Sequence, residues 1–207
     1  MYFAKSISTF LVGALLATSA LGDLQAPRRA AEDIVKREQK LERARKRQAS
    51  CMEASKRALL DTRDNILVPP ENWASGSGRD ELVTVALATC YGIAVVGNGG
   101  TGDDRFMSHS LSREETPTVS LLNAVVAAKN NGLSQIRAVF VYPDPNSFDT
   151  EEEREDVQEE IEAYMTALDQ VVGTGYTKVP HNHMDYYGIK IASNKRITYG
   201  SDVHFGR

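Results

Sequence analysis

The residues of this chain best suited to nucleophilic chemistry are a thiol and an imidazole nineteen positions apart, Cys90 and His109. The thiolate is the reactive form, and a free thiol with a pKa of about 8.5 is only a few per cent ionised at neutral pH. An imidazole within reach corrects this: it pairs with the thiolate, protonates a departing amine, and then activates the water that resolves a thioester. Cys90 closes the apolar run Leu82-Val83-Thr84-Val85-Ala86-Leu87-Ala88-Thr89, and His109 closes Phe106-Met107-Ser108. Between them Gly97-Asn98-Gly99-Gly100-Thr101-Gly102 has the composition of a tight turn, which predicts a hairpin that folds His109 back onto Cys90. Thr84 precedes Cys90 by six residues, so strand alternation places both on one face. Its hydroxyl can accept the second ring N–H of His109.

Thr84, Cys90 after a small hydroxyl residue, and the triplet Met107-Ser108-His109 resemble the active-site pattern of the CheD-type chemoreceptor glutamine deamidases. Those enzymes are similar in fold to the catalytic domain of cytotoxic necrotizing factor toxins. The likeness spans residues 80–205 and is specific between 82 and 142, where an apolar helix, a Gly turn and a hydrophobic strand follow the histidine. It implies Cys90 as nucleophile, His109 as general acid and base, and Thr84 as the residue orienting the imidazole. It further implies a protein-glutamine deamidase whose partner is a protein presenting an exposed glutamine, with no cofactor. The family has Gly-Ser before its cysteine where this chain has Ala88-Thr89, and its members are cytoplasmic. Conserved chemistry on a different substrate is the expectation that follows.

Three states of Cys90 stay open at the level of sequence. The chain has two cysteines, Cys51 and Cys90, and in an exported protein such a pair ordinarily forms a disulfide. Cys90 is then a free catalytic thiol, half of a structural bridge in an inert secreted binding module, or half of a reversible bridge that keeps an enzyme latent. A thiol protease or a transglutaminase uses the same Cys/His pair. His181 and His183, expected on one strand face, and His204 form a second cluster of potential ligands, but no Cys or carboxylate completes a zinc set, so no metal site is assigned.

The elements that must position these residues begin after an export signal. Lys5, the apolar residues 7–17 and the small residues Thr18-Ser19-Ala20-Leu21-Gly22 read as a signal peptide over residues 1–22. No stretch has the length of a membrane span, and the expected product is secreted. Residues 23–68 are a basic helical extension or propeptide, with eleven basic against five acidic side chains between positions 28 and 57. Its thin apolar stripe is Ile34, Leu41, Ala44, Cys51, Met52, Ala58 and Leu59, and Lys46-Arg47 has the form of an exposed dibasic cleavage site. No aromatic residue interleaves the basic ones, which argues against nucleic acid as a partner. Pro69-Pro70 and Ser75-Gly76-Ser77-Gly78 predict a linker over residues 69–79, leaving residues 80–207 as the catalytic domain.

Within that domain, Thr116 with Pro117 opens a helix whose expected buried face is Val119, Leu122, Val125 and Val126, and Gly132 ends it. Residues 135–142 predict a buried strand. Asp149 or Thr150 caps a second helix carrying Val157, Ile161, Met165, Leu168 and Val172 on one side and a solvated acidic face on the other. Alternating strands fill the C-terminal part. The predicted class is α+β, with a mixed, layered β-sheet core flanked by helices and the basic helical extension before it.

Overall fold

The computed structural model describes residues 25–58 and 65–203, with side chains over 33–53 and 65–203. The expected signal peptide, Leu59 and His204 lie outside the described residues. The chain divides into two units at Glu38/Gln39, α1 running through the boundary, and the sheets, cores and site described below belong to the second, Gln39–Arg207.

Three helices and two sheets make the α+β fold among the described residues: α1 (Gln25–Ala58), β1 (Ile66–Leu67), β2 (Asn72–Gly76), β3 (Leu82–Thr84), β4 (Tyr91–Asn98), β5 (Arg105–Ser110), α2 (Thr116–Asn130), β6 (Ser134–Pro143), α3 (Glu151–Val172), β7 (Thr177–His181), β8 (Gly188–Ile191) and β9 (Ile197–Gly200). One sheet has the order β2-β5-β4-β6-β7 and the other β1-β3-β8-β9. Both are mixed, with β6–β7 and β1–β3 parallel and the remaining pairs antiparallel.

Two cores follow from strand alternation on the five-stranded sheet. On one face Tyr91, Ile93, Val95, Phe106, Ala138 and Phe140 meet Leu121 and Val125 of α2 and Val157, Ile161, Tyr164 and Leu168 of α3. On the other Ala94, Val96, Met107, Val139 and Val141 meet Leu82, Ile189 and Ile191 of the four-stranded sheet. Full burial of each such aliphatic is worth about 1.5–3 kcal/mol, so the central strands are hydrophobic on both sides. The β4–β5 hairpin forms as expected, with Gly99 and Gly100 both at φ 79°, a conformation that favours glycine.

Several expectations are corrected. Residues 72–76, read as linker, form β2, paired along β5 at the edge of the larger sheet; an edge strand needs one ladder only and tolerates the Ser/Gly composition. Residues 82–90 are not one strand. β3 ends at Thr84, Ala86 takes φ 63°, and the chain crosses to the other sheet before β4 begins at Tyr91. In α2 the buried face is Thr118, Leu121, Leu122 and Val125, whereas Val119 and Val126 are exposed. α3 is capped by Thr150, whose hydroxyl accepts from the Glu153 amide at 3.3 Å, and it ends at Gly173. The acidic face of α3 is not wholly solvated, because Asp156 is buried and Glu160 nearly so.

Candidate active site

His109 stands on the inner face of β5, in step with Met107, and is fully buried between the two sheets. Opposite it in the ladder is Gly92 of β4, where a Cβ would come within 2.6 Å of Leu87 and 2.7 Å of Ile189. That position must be bare for the crossover from Thr84 to Tyr91 to pack down beside His109. Thr84, the last residue of β3, arrives from the other sheet and is also fully buried. The spacing of six from Thr84 to Cys90 therefore spans a sheet-to-sheet crossing, and the shared face comes from the crossover rather than from strand alternation.

The expected Thr84–His109 contact is present, with Oγ1 and Nδ1 2.8 Å apart. Thr84 Oγ1 also donates to the carbonyl of Val68 at 2.8 Å. A hydroxyl has one proton, so Oγ1 can only accept from the ring; this assigns the proton of neutral His109 to Nδ1 and leaves the Nε2 lone pair free. Nε2 faces sulfur, 3.2 Å from Cys51 Sγ. Burial pushes the His109 imidazolium down to a pKa of about 3, with a backbone hydrogen bond to Val68 opposing weakly. The ring is thus a neutral base at physiological pH.

Cys90 immediately precedes β4 and is paired with Cys51 of α1 in a disulfide, Cα to Cα 6.0 Å. The two sulfurs and a His109 ring nitrogen lie within 4.8 Å of one another, and all three residues are buried. Such a trio can hold a soft metal only when both sulfurs are thiolates, which the bridge forbids. Of the three histidines weighed as potential ligands, His181 and His183 lie among the described residues, and each ring stacks on an aromatic side chain. β7 ends at His181, whose ring stacks on Tyr187 at 4.8 Å, while His183 stacks on Phe148 at 4.3 Å and contacts Ser147 Oγ.

Sequence reasoning missed the framework that brings Cys51 here. Ala44, Arg47 and Cys51 are buried along one side of α1, so the stripe contains an arginine where only apolar residues were expected, and Leu41 is exposed. Arg47 Nη2 donates to Glu160 Oε1 at 2.8 Å and to Ser112 Oγ at 3.0 Å. Glu160 Oε2 accepts from the Tyr91 hydroxyl at 2.9 Å. Burial, and then the Glu160 charge, hold the Tyr91 phenol well above its ordinary pKa, so it remains a donor. Thr89 Oγ1 donates to the carbonyl of Arg47 at 2.7 Å. Further along α1, Arg43 pairs with Asp156 at 2.9 Å, and Lys40 pairs with Asp156 at 3.5 Å and with Glu159. Arg47 is therefore sequestered inside a helix, and Lys46-Arg47 is not the exposed cleavage site its sequence resembles. The pairing of i, i+3 and i+7 on α1 with an acidic stripe on α3 was the available signal.

No protein-family model matches the chain, and no curated protein matches it in sequence. No helix among the described residues is long and apolar enough to cross a membrane.

Proposed function

We propose that this protein is a secreted cysteine-dependent hydrolase of carboxamides, most specifically a protein-glutamine deamidase, resting in an oxidised form. The observation that carries the reading is the Thr84–His109 bond at 2.8 Å, which fixes the ring so that its lone pair is turned to the cysteine sulfurs. The resemblance of these residues to the CheD-type pattern supports the same assignment of roles. Export through residues 1–22 belongs to this proposal and accords with a disulfide, which persists in oxidising compartments.

Once the bridge is reduced and the site is open to substrate, Nε2 takes the Cys90 thiol proton and Sγ attacks the carboxamide carbon of a glutamine side chain. The tetrahedral oxyanion collapses as Nε2–H gives its proton to the leaving nitrogen, releasing ammonia and leaving a thioester. Water, losing a proton to Nε2, adds to the thioester, and the Cys90 thiol is regenerated as glutamate leaves. Thr84 holds the same ring edge throughout, accepting from Nδ1–H in both half-reactions. The net change is glutamine plus water to glutamate plus ammonia.

The disulfide itself favours a second reading, an inert binding module whose bridge is structural. Incubation of dithiol-reduced protein with glutamine-bearing protein substrates separates the two. Ammonia release and glutamine-to-glutamate conversion, both abolished by Cys90→Ser, support the deamidase. Peptide cleavage or cross-linking in their place assigns a thiol protease or transglutaminase, and a reduced Cys90 whose alkylation His109→Ala leaves unchanged assigns the module.

A further inference from the structure

We propose that residues 39–51 of α1 are an inhibitory strap over Cys90 and His109, fastened by two locks that must both open: the Cys51–Cys90 disulfide and the polar contacts of the strap, centred on the buried Arg47–Glu160 pair and extended along α3 by Arg43 and Lys40. The proposal deepens the reading above by assigning regulation to the same site, and it takes from that reading only that Cys90 is the reacting thiol.

The covalent lock occupies the nucleophile. The second lock grips the residues on both sides of it. Thr89 donates to the Arg47 carbonyl, and Tyr91 donates to Glu160, the carboxylate that holds the Arg47 guanidinium. Ser112 Oγ joins the same group, accepting from Arg47 and donating to Glu160, while Gln48 donates to the Ser112 carbonyl at 2.7 Å. The strap is therefore tied to both neighbours of Cys90, to α3 and to the segment after β5. The strap also reaches the base, with Cys51 Sγ 3.2 Å from His109 Nε2, and Cys90, His109 and Thr84 have no exposed surface. One part of the second lock is incomplete: among the described residues, Arg47 Nη1 is buried with no hydrogen-bond partner. An element held by such a group opens more readily than the core beneath it.

Opening the first lock consumes a dithiol. One of its thiolates attacks a sulfur of the Cys51–Cys90 bond and forms a mixed disulfide, and its second thiol displaces the remaining cysteine. The dithiol leaves as a disulfide, and Cys51 and Cys90 each gain a hydrogen.

The test is the rate at which iodoacetamide captures Cys90, with tryptic cleavage after Arg47 followed in parallel, on the full chain with and without dithiothreitol. Oxidised protein is expected not to label. Reduced wild type labels slowly, with Arg47 still protected, because the polar lock persists. Arg47→Met speeds labelling of the reduced protein by about a hundredfold, since the pair it breaks is buried. Thr89→Val, which removes one tie and leaves the ion pair, gives about a fivefold increase together with cleavage after Arg47. If Arg47→Met loses its native circular dichroism, Thr89→Val decides alone. Reduced wild type that labels as fast as the urea-unfolded chain, or variants that label no faster than wild type, would overturn the second lock. Failure of the hydrolase reading looks different: the variants open as stated, yet His109→Ala leaves the labelling rate of the opened protein unchanged.

Discussion

Thr84 and His109 sit on different sheets and meet through a 2.8 Å hydrogen bond whose direction is set by Val68, because the Thr84 proton is already given to that carbonyl. The imidazole is thereby held in one tautomer with its basic nitrogen toward the cysteines. Thr84 is a positioning residue in this account. Replacement by Val strands a buried Nδ1–H and is expected to cost about 1–3 kcal/mol of stability. It also lets the ring change tautomer, so the pH profile of Cys90 alkylation in reduced protein shifts toward that of an ordinary thiol. Thr84→Ser restores the profile; a merely structural role would leave it unmoved in both variants.

His109 makes stability depend on pH, and the sign follows from its depressed value. The unfolded ring binds a proton near pH 6.5 whereas the native ring does so only at about 3, so between these values the unfolded state holds more protons. Stability is then fully present above about pH 6.5 and falls by about 1.4 kcal/mol for each unit below it. His181, also lowered chiefly by burial, acts in the same direction. Unfolding free energies from urea titrations at pH 7 and pH 5 are expected to differ by about 2 kcal/mol from His109 alone, and His109→Asn should remove that share.

The bridge closes a segment with a sequence separation of 39 residues. On loop-closure grounds its reduction is expected to cost about 4 kcal/mol, read as a drop in melting temperature between oxidised and reduced protein. Cys51→Ser should match the reduced wild type. A melting temperature indifferent to reductant would show that the bridge does not restrain the unfolded chain.

What was legible in the sequence was local. The Gly-rich turn specified the β4–β5 hairpin, and Thr150 with Gly173 bounded α3, because turn and cap chemistry act over a few residues. Cys90, His109 and Thr84 were named from type and spacing, and the structure brings them together. The route was not legible: Ala86 at φ 63° lies inside an apolar run that reads as a continuous strand, and nothing local marks the crossing between sheets. Nor was the Arg47–Glu160 pair, which joins residues 113 apart and fastens the basic helix to α3. The basic spacing at 40, 43 and 47 and the acidic stripe of α3 are each visible in the sequence, but which faces meet is decided by what the sheets leave open, and that is not local.

The central claim, that His109 activates Cys90, is tested most directly by the pH dependence of Cys90 alkylation in the Cys51→Ser protein, with and without His109→Ala. The pH midpoint reports ionisation of the thiol however slowly the strap opens. The account predicts a midpoint well below the ordinary value of about 8.5, returning to that value or higher when the imidazole is removed. An ordinary or raised midpoint that His109→Ala does not change would contradict it, and would leave the Cys51–Cys90 bridge as a structural feature of a binding module.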